Sequence, residues 1–239
     1  MSWKVAIHVH SAWSYDGTAS LEEVARFFRR LHFDAVFMSE HDRGFDGAKW
    51  DAYQSACQDA SRGLRLIPGL EYQDADNAVH VLVWGDLPFL SCGSTTELLR
   101  RVRELGGISI LAHPARKDAL ARLTTIDHDL LDGVEIWNRR YDGWSPPDQV
   151  DAFSDRPELL RIVGLDFHRR LDFFPLALRL DPATEPTPEA ATEALRSGRF
   201  VAELCGMPAS HFSTGRRRAI LQGLDHARKS FSRLAGIGS

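Results

Sequence analysis

Cysteine is scarce in this sequence, and the few cysteines form no pattern. The 239 residues include three of them, Cys57, Cys92 and Cys205, far apart and without a C-x-x-C spacing. An odd and scattered set excludes a disulfide framework and gives no support to a thiolate zinc site. We therefore expect a protein of a reducing compartment and predict the cytoplasm.

Long apolar runs and a strong excess of one charge are also missing. No stretch approaches the ~18 apolar residues that a transmembrane helix needs, and the first residues lack the pattern of a secretory signal. The formal net charge is −4, which argues against a protein that coats nucleic acid through its overall charge. We expect no membrane partner, and the sequence leaves the oligomeric state open.

The sequence does contain an alternation of short apolar runs with segments of helical period. We predict strands at 5–10, 35–39, 64–71, 79–84, 108–112, 134–137, 161–167, 176–180 and 199–203. We predict helices at 21–31, 47–62, 94–105, 117–123, 148–153, 188–197 and 216–234. This rhythm predicts an α/β fold with a parallel sheet and helical crossovers. About seven such units fit a closed barrel better than an open sheet, although the pattern alone leaves the open sheet as an alternative.

Most of the predicted strands end in histidine, aspartate or glutamate. The carboxyl ends of parallel strands lie on one face of an α/β barrel, where such folds place their active sites. Nine side chains are expected to meet there, namely His8, His10, Asp16, His41, Glu71, His80, His113, Asp166 and His168.

Six imidazoles and three carboxylates are too many for one divalent ion, which takes about four to six ligands. A bridging carboxylate would let two ions lie ~3.5–4 Å apart, and the remaining ligands could hold a third ion. Imidazole combined with carboxylate suits Zn, Mn or Fe, whereas Mg and Ca prefer oxygen ligands. The sequence therefore predicts a polynuclear metal site.

The same residues stand in motifs that resemble the PHP family (polymerase and histidinol phosphatase). The resemblance covers roughly residues 4–170. The matching motifs are His8-Val9-His10 with Asp16-Gly17, Glu40-His41-Asp42, Gly69-Leu70-Glu71, His80, Ala112-His113-Pro114, Gly133-Val134-Glu135-Ile136-Trp137-Asn138 and Gly164-Leu165-Asp166-Phe167-His168. The resemblance implies a distorted, TIM-like (βα)7 barrel as a single domain over 1–239, with 171–239 completing it at its C-terminal end.

The resemblance also implies a trinuclear centre with two to three divalent ions of Mn, Zn or Fe. Its first ion would be bound by His8, His10, Glu71 and Asp166. Glu71 would bridge to a second ion that is also held by His80 and His113. The third ion would be bound by Asp16, His41 and His168. Because a bound metal ion lowers the pKa of water to about 7, hydroxide bridging two ions would attack phosphorus.

The sequence departs from the family pattern at two places close to these ligands. Ser14-Tyr15-Asp16-Gly17 has one residue more than the common Ser-Asp-Gly. Phe167 stands between Asp166 and His168, where a small residue is usual.

Several other residues have expected roles beside the ligands. Arginine is the natural planar partner of a phosphate group, and the candidates are Arg43, Arg116, Arg139 and Arg169, of which Arg116 and Arg169 are preferred.

Acidic residues next to the motifs are expected to support the ligands rather than bind metal; these are Glu40, Asp42 and Glu135. Trp13 and Trp144 lie in predicted loops, where packing is the commoner role and contact with a base or sugar is the alternative.

Four functions follow from these observations, in decreasing order of preference. The first is hydrolysis of a phosphomonoester of a small metabolite or nucleotide, and the second is processing of DNA or RNA ends by the same chemistry. The third is a non-enzymatic, metal-stabilised interaction domain, which ranks lower because the full ligand set is present. The fourth is C–N bond hydrolysis in the manner of amidohydrolases, where a modified lysine commonly bridges the metals; here that strand end offers Glu71.

Overall fold

The computed structural model describes residues 2–147, 156–181 and 187–234. The strands in these ranges are β1 (Trp3–Val9), β2 (Ala35–Met38), β3 (Glu40–His41), β4 (Arg65–Ile67), β5 (Gly69–Gln73), β6 (His80–Trp84), β7 (Ile108–Leu111), β8 (Gly133–Asn138), β9 (Leu160–Gly164), β10 (Leu176–Leu180), β11 (Phe200–Leu204) and β12 (Met207–Pro208). The helices are α1 (Leu21–Arg30), α2 (Gly47–Ala60), α3 (Thr95–Glu104), α4 (Ala119–Arg122), α5 (Thr125–Leu130), α6 (Arg139–Asp142), α7 (Pro188–Arg196) and α8 (Gly215–Leu234). The helix expected at 148–153 lies outside the described residues.

The strands form two sheets that continue into each other. Their orders are β12-β11-β10-β1-β2-β4 and β3-β5-β6-β7-β8-β9. Ala35 pairs in parallel with Arg65, and Glu40 pairs in parallel with Leu70. The same register therefore continues from the first sheet into the second, so that β2 with β3 is one interrupted strand, and β4 with β5 is another.

The interruption has a local cause. The carbonyl oxygen of Met38 accepts a hydrogen bond from the indole Nε1 of Trp84 at 2.7 Å, and Pro68 has no N–H to donate to a ladder. Gly69 lies against the same indole, where an added Cβ would be 2.1 Å from Trp84 Cδ1. The single strand predicted at 64–71 is therefore two strands, 65–67 and 69–73.

Backbone hydrogen bonds after β9 join the second sheet to β1. Leu165 N donates to Ile7 O at 3.0 Å, Phe167 N donates to His8 O at 3.1 Å, and His10 N donates to Phe167 O at 2.8 Å. Since β1 also pairs with β2, seven strand positions follow one another around a ring: β1, β2/β3, β4/β5, β6, β7, β8 and β9. The predicted α/β fold with a distorted seven-stranded barrel is confirmed.

The expectation of a wholly parallel sheet is wrong at β6, which runs antiparallel to both β5 and β7. The connection from β5 to β6 spans only residues 74–79, which is too short for the helical crossover that a parallel neighbour requires. His80 is therefore the first residue of its strand, and this reversed strand still brings it to the rim where the other strands end.

The C-terminal part of the chain extends the first sheet. β10 pairs antiparallel with the first half of β1, as in the pair of Trp3 with Leu180, and β11 and β12 follow in antiparallel order. Apolar side chains of both sheets and of this extension belong to one buried cluster, which includes Ile7, Leu82 and Leu178. That 171–239 completes a single domain stays a prediction.

The helix predicted at 117–123 is the shorter α4, and α5 and α6 were not predicted. Side-chain caps mark the starts of α1 and α3. Ser20 and Glu23 make a capping box at α1, with Glu23 N donating to Ser20 Oγ at 3.3 Å and Ser20 N donating to Glu23 Oε2 at 3.0 Å. At α3 the hydroxyl of Ser94 accepts from Glu97 N, but the Glu97 carboxylate accepts from Gly93 N instead of the cap backbone. Among the described helices, none has both the length and the apolar content to cross a membrane.

Candidate metal centre

Glu71 lies at the middle of the candidate site, on β5, and both of its carboxylate oxygens face histidines. Its Oε2 atom lies within 3.2–3.4 Å of three imidazole nitrogens, His8 Nε2, His10 Nε2 and His41 Nδ1. Its Oε1 atom lies 2.7 Å from His80 Nδ1 and 2.9 Å from His113 Nε2. A carboxylate that divides five histidines between its two oxygens has the arrangement of a bridging ligand.

A second carboxylate, Asp166, lies beside this cluster. Its Oδ1 atom is 3.9 Å from His8 Nε2, 3.7 Å from His10 Nε2 and 3.3 Å from His168 Nδ1. A third carboxylate, Asp16, approaches the outer histidines, with its Oδ2 atom 3.0 Å from His168 Nε2 and 3.4 Å from His41 Nε2. The structure thus brings all nine predicted side chains to one rim.

The ligand atoms fall into three compact groups, within each of which all atoms lie within 4.8 Å of one another. The groups are His10 with Asp16, His41 and His168; His8 with Glu71 and His113; and His8 with His10 and Asp166. His80 belongs to none of these groups, although its Nδ1 atom contacts Glu71. The allocation of particular residues to particular ions stays a prediction.

Three of these residues hold strained backbone conformations. His8, His113 and Asp166 have φ values of 63°, 27° and 50°, in the left-handed region that costs a non-glycine residue of order 1–3 kcal/mol. At His8 the register between β1 and β2 shifts, as at a β-bulge, and bulges commonly re-aim a side chain next to an active site. Such strain persists only where the surrounding structure imposes it.

Glu135, on β8, orients two of the histidines from behind. Its Oε1 atom accepts a hydrogen bond from His8 Nδ1 at 2.8 Å, and its Oε2 atom accepts from His113 N at 2.7 Å and from Asn138 Nδ2 at 2.8 Å. Because a carboxylate can only accept, His8 carries its proton on Nδ1 and presents the lone pair of Nε2 to the site. Gly164 leaves room for Glu135, since an added Cβ would lie 1.8 Å from Oε1.

Glu40 supports His10 and His41 through Ser14. The Ser14 hydroxyl donates to Glu40 Oε2 at 2.5 Å. Its oxygen is then an acceptor for His41 N at 3.0 Å and for His10 Nδ1 at 3.3 Å. A hydroxyl has one proton to donate, and Ser14 gives it to Glu40. The proton of the His10–Ser14 hydrogen bond is therefore on His10 Nδ1, and His10 Nε2 is free to face the site.

The buried charges of the site shift the pKa values of its members. Burial lowers the pKa of His8, but the carboxylates Glu135 and Glu71 outweigh it and hold that pKa well above its usual value. Burial and the neighbouring His168 hold the pKa of His10 well below its usual value. Burial opposes ionisation of Asp16, but the imidazoles of His168 and His41 close to its carboxylate lower its pKa. The pKa values of neighbouring histidines are thus shifted in opposite directions, according to whether carboxylates or burial and other histidines dominate around each ring.

Atoms without partners show whether the residues fit metal ions. Within the described ranges, six buried atoms of the cluster make no hydrogen bond: His8 Nε2, His10 Nε2, His41 Nδ1, Glu71 Oε2, His113 Nδ1 and His168 Nε2. An unsatisfied buried polar atom costs about 1–3 kcal/mol, so several in one place need a compensating partner. Divalent cations would satisfy imidazole nitrogens and carboxylate oxygens together, and the residues fit such ions.

The site opens into a cleft of about 70 Å³. Besides the ligands, its lining includes Arg116, Arg140, Asn77, Tyr15 and Tyr141. Arg116 Nη1 donates to Asn77 O at 2.7 Å, and its Nε donates to Tyr141 OH at 3.0 Å. Arg140 Nη1 lies 3.1 Å from His168 Nδ1.

Of the four arginines that the sequence suggested, only Arg116 lines this cleft. The Arg169 guanidinium pairs with Asp172 at 3.3 Å, Arg139 lies over the ring of Phe174, and Arg43 is exposed. Sequence reasoning missed Arg140, since Arg139 and Arg140 follow the same motif. In the structure α6 begins at Arg139 and is capped by the Asn138 side chain. This helical turn directs the Arg140 side chain to the cleft.

Comparison with known proteins adds the fold class. No family model and no curated protein matches the sequence. The structure is similar to a two-domain protein from Bacteroides vulgatus ATCC 8482 that contains a predicted PHP-like metal-dependent phosphoesterase, with a TM-score of 0.62 and 17% identity over 85% of this chain. The chain spans 65% of the length of that protein.

Two further solved structures are similar. PsfC from Pseudomonas syringae PB-5123 has a TM-score of 0.63 and 13% identity, with 93% of this chain and 99% of PsfC covered. The lesion-specific endonuclease PfuEndoQ from Pyrococcus furiosus has a TM-score of 0.58 and 15% identity, with 82% of this chain and 56% of the endonuclease covered. The fold of this chain is thus the PHP-type α/β barrel that its motifs predict.

Proposed function

We propose that this protein is a metal-dependent phosphoesterase that hydrolyses a phosphomonoester of a small metabolite or nucleotide. The observation that carries the proposal is the convergence of nine ligand side chains on one rim, where five histidines lie within 3.4 Å of the Glu71 carboxylate, with six buried nitrogen and oxygen atoms of the cluster left unsatisfied within the described residues. The description of the Bacteroides protein, which contains a predicted PHP-like metal-dependent phosphoesterase, supports the same chemistry.

The donor set favours two to three ions of Mn, Zn or Fe, held as the resemblance allocates them. His8, His10, Glu71 and Asp166 would hold the first, Glu71 with His80 and His113 the second, and Asp16, His41 and His168 the third. When bound, such cations supply hydroxide at neutral pH and offset the charge that develops on a phosphoryl group. The protein contributes the fixed positions of the ligands, through the hydrogen bonds of Glu135 and of Glu40 with Ser14.

Arg116 and Arg140 would bind the phosphate. Arg140 Nη1 lies 3.1 Å from His168 Nδ1, at the edge of the ligand cluster. Its side chain also lines the cleft. An anion in the cleft would satisfy that guanidinium, which always carries its charge. Arg116 is held on the opposite side, beside His80, by Asn77 and Tyr141.

Release of inorganic phosphate tests the proposal. The full chain, loaded in turn with Mn²⁺, Zn²⁺ and Fe²⁺, should hydrolyse members of a panel of phosphomonoesters, and His8→Ala and Asp166→Ala should abolish turnover. The control is His211→Ala, which removes an exposed histidine outside the cleft and should retain activity. A metal-loaded wild-type protein that turns over no phosphoester contradicts the proposal.

Cleavage at DNA or RNA ends is the second candidate, because one similar structure is named an endonuclease. Binding to nucleic acid depends steeply on salt, since cations are released from the phosphate backbone. Oligonucleotide binding that weakens at least tenfold between low and moderate salt, with cleavage, favours this candidate. Binding that does not change with salt, or no binding, removes it.

A further inference from the structure

Two tyrosine rings lie exposed at the cleft, although aromatic rings are usually buried. Tyr15 exposes 63% of its surface and Tyr141 exposes 44%. Both line the cleft together with Arg116 and Arg140. Tyr53 and Tyr72, the other two tyrosines of the sequence, belong to the buried core. The exposed pair is therefore a feature of the cleft and not of tyrosines in this protein generally.

Tyr15 is the residue by which this chain exceeds the common Ser-Asp-Gly motif. Its ring is stacked on the His41 imidazole, with 4.9 Å between centroids and 19° between planes. His41 is buried, so the ring of Tyr15 lies on the outer side of the pair, towards the cleft mouth. The extra residue thus provides a flat apolar surface directly above the ligand cluster.

Tyr141 provides a second surface, above His113. Its ring centroid lies 4.5 Å from that of His113 at 51°, and its hydroxyl accepts from Arg116 Nε. His113 and His41 contact opposite oxygens of Glu71. The two tyrosines therefore extend outward from histidines on opposite sides of the central carboxylate, each held in position by a contact to the site.

We propose that Tyr15 and Tyr141 bind the leaving group of the substrate by ring stacking, so that the substrate is the phosphoester of an alcohol with a planar ring, either an aryl alcohol or a nucleoside. This inference rests on the proposed function and narrows its substrate class. The phosphate lies at Arg116 and Arg140, and the ring lies further out, on the tyrosines. Phosphoesters of small aliphatic alcohols present no flat face to these rings and bind through the phosphate alone.

The tryptophans that the sequence suggested for such a contact lie elsewhere. Trp13 packs on Tyr53 and Phe45, and Trp144 is stacked on Phe174 under Arg228. Neither belongs to the lining of the cleft. The aromatic surface near the ligands is therefore the tyrosine pair.

Binding of phosphonates, which cannot be hydrolysed, tests the inference without depending on turnover. Isothermal titration of the metal-loaded full chain with phenylphosphonate and with ethylphosphonate should give tighter binding of the phenyl compound by roughly 5- to 100-fold, the range expected for stacking of one ring. Tyr15→Ala should remove most of this preference, and Tyr15→Phe should retain it. Phe231→Ala, which removes a ring exposed on α8, should leave it unchanged.

The outcomes separate this inference from the proposed function. Equal binding of the two phosphonates by wild type, or an unchanged preference in Tyr15→Ala, overturns the inference while the phosphoesterase proposal stands on its phosphate-release assay. Failure to bind either phosphonate, together with no release of phosphate, overturns both. For hydrolysable substrates, the same variant should raise KM for phenyl phosphate and not for glycerol phosphate, with little change in kcat.

Discussion

Replacing Glu135 by glutamine tests how the protein prepares His8 to bind metal. The carboxylate accepts three hydrogen bonds, from His8 Nδ1, His113 N and Asn138 Nδ2, at 2.7–2.8 Å. A glutamine side chain has one acceptor oxygen and one donor NH2 group. If its oxygen keeps the two bonds to His113 and Asn138, its NH2 group faces His8, which must then accept on Nδ1 and carry its proton on Nε2.

That change of tautomer removes a ligand. His8 Nε2 is the atom that lies 3.4 Å from Glu71 Oε2, and a protonated nitrogen cannot bind a cation. In the other orientation of the amide, its NH2 group opposes the N–H of His113. Loss of a carboxylate behind a metal-binding histidine typically lowers metal affinity about 10- to 100-fold, which is about 1.4–2.7 kcal/mol.

The measurement is the Kd for Zn²⁺ or Mn²⁺, from competition with a chelator of known affinity at pH 7.5. Glu203→Gln is the matched control, because Glu203 is also buried but pairs with Arg179 at 2.8 Å and contacts no ligand. We expect Glu203→Gln to change unfolding and not metal affinity. A Glu135→Gln protein that binds metal as tightly as wild type refutes the reasoning.

Three further predictions follow from the structure. Gly164→Ala should lower metal affinity as Glu135→Gln does, because its Cβ would lie 1.8 Å from Glu135 Oε1; unchanged affinity by chelator competition contradicts this. Burial raises the pKa of Asp142 from 3.8 to about 6, so the folded state favours the protonated carboxyl. The stability that this protonation contributes is fully present below pH 3.8 and is lost as the pH rises through about 6. Asp142→Asn should therefore gain about 2 kcal/mol relative to wild type between pH 4.5 and pH 8, and a difference in urea unfolding that is the same at both pH values would count against it. Removal of metal with a chelator should lower Tm, since free metal at 100 times its Kd stabilises a protein by about 2.7 kcal/mol; a Tm that does not respond to metal in a thermal scan refutes this.

Sequence reasoning reached the rim of ligands because its signal is local. Most of the predicted strands end in His, Asp or Glu. A barrel brings these ends to one face, and the exact path of each crossover does not change this. The α/β barrel and the motif resemblance could thus be predicted from order and spacing. Prediction failed at β6, because a short apolar run has the same pattern in either direction, and only the short connection after β5 indicates its reversal.

The lining of the cleft depends on tertiary geometry and was harder to predict from the sequence. Arg139 and Arg140 are equivalent in the sequence, and one turn of helix decides that Arg140 reaches His168. Arg169 follows its motif closely, yet Asp172, three residues on, binds its guanidinium. Tyr15 was visible as an extra residue, but its position over His41 required the folded chain.

The number of metal ions bound per chain tests the central claim most directly. Purified full chain, reconstituted with Mn²⁺ or Zn²⁺ and freed of excess metal, should contain two to three ions per chain by elemental mass spectrometry, and Glu71→Gln should contain fewer. Fewer than two ions in the wild-type protein would contradict a polynuclear centre built on Glu71.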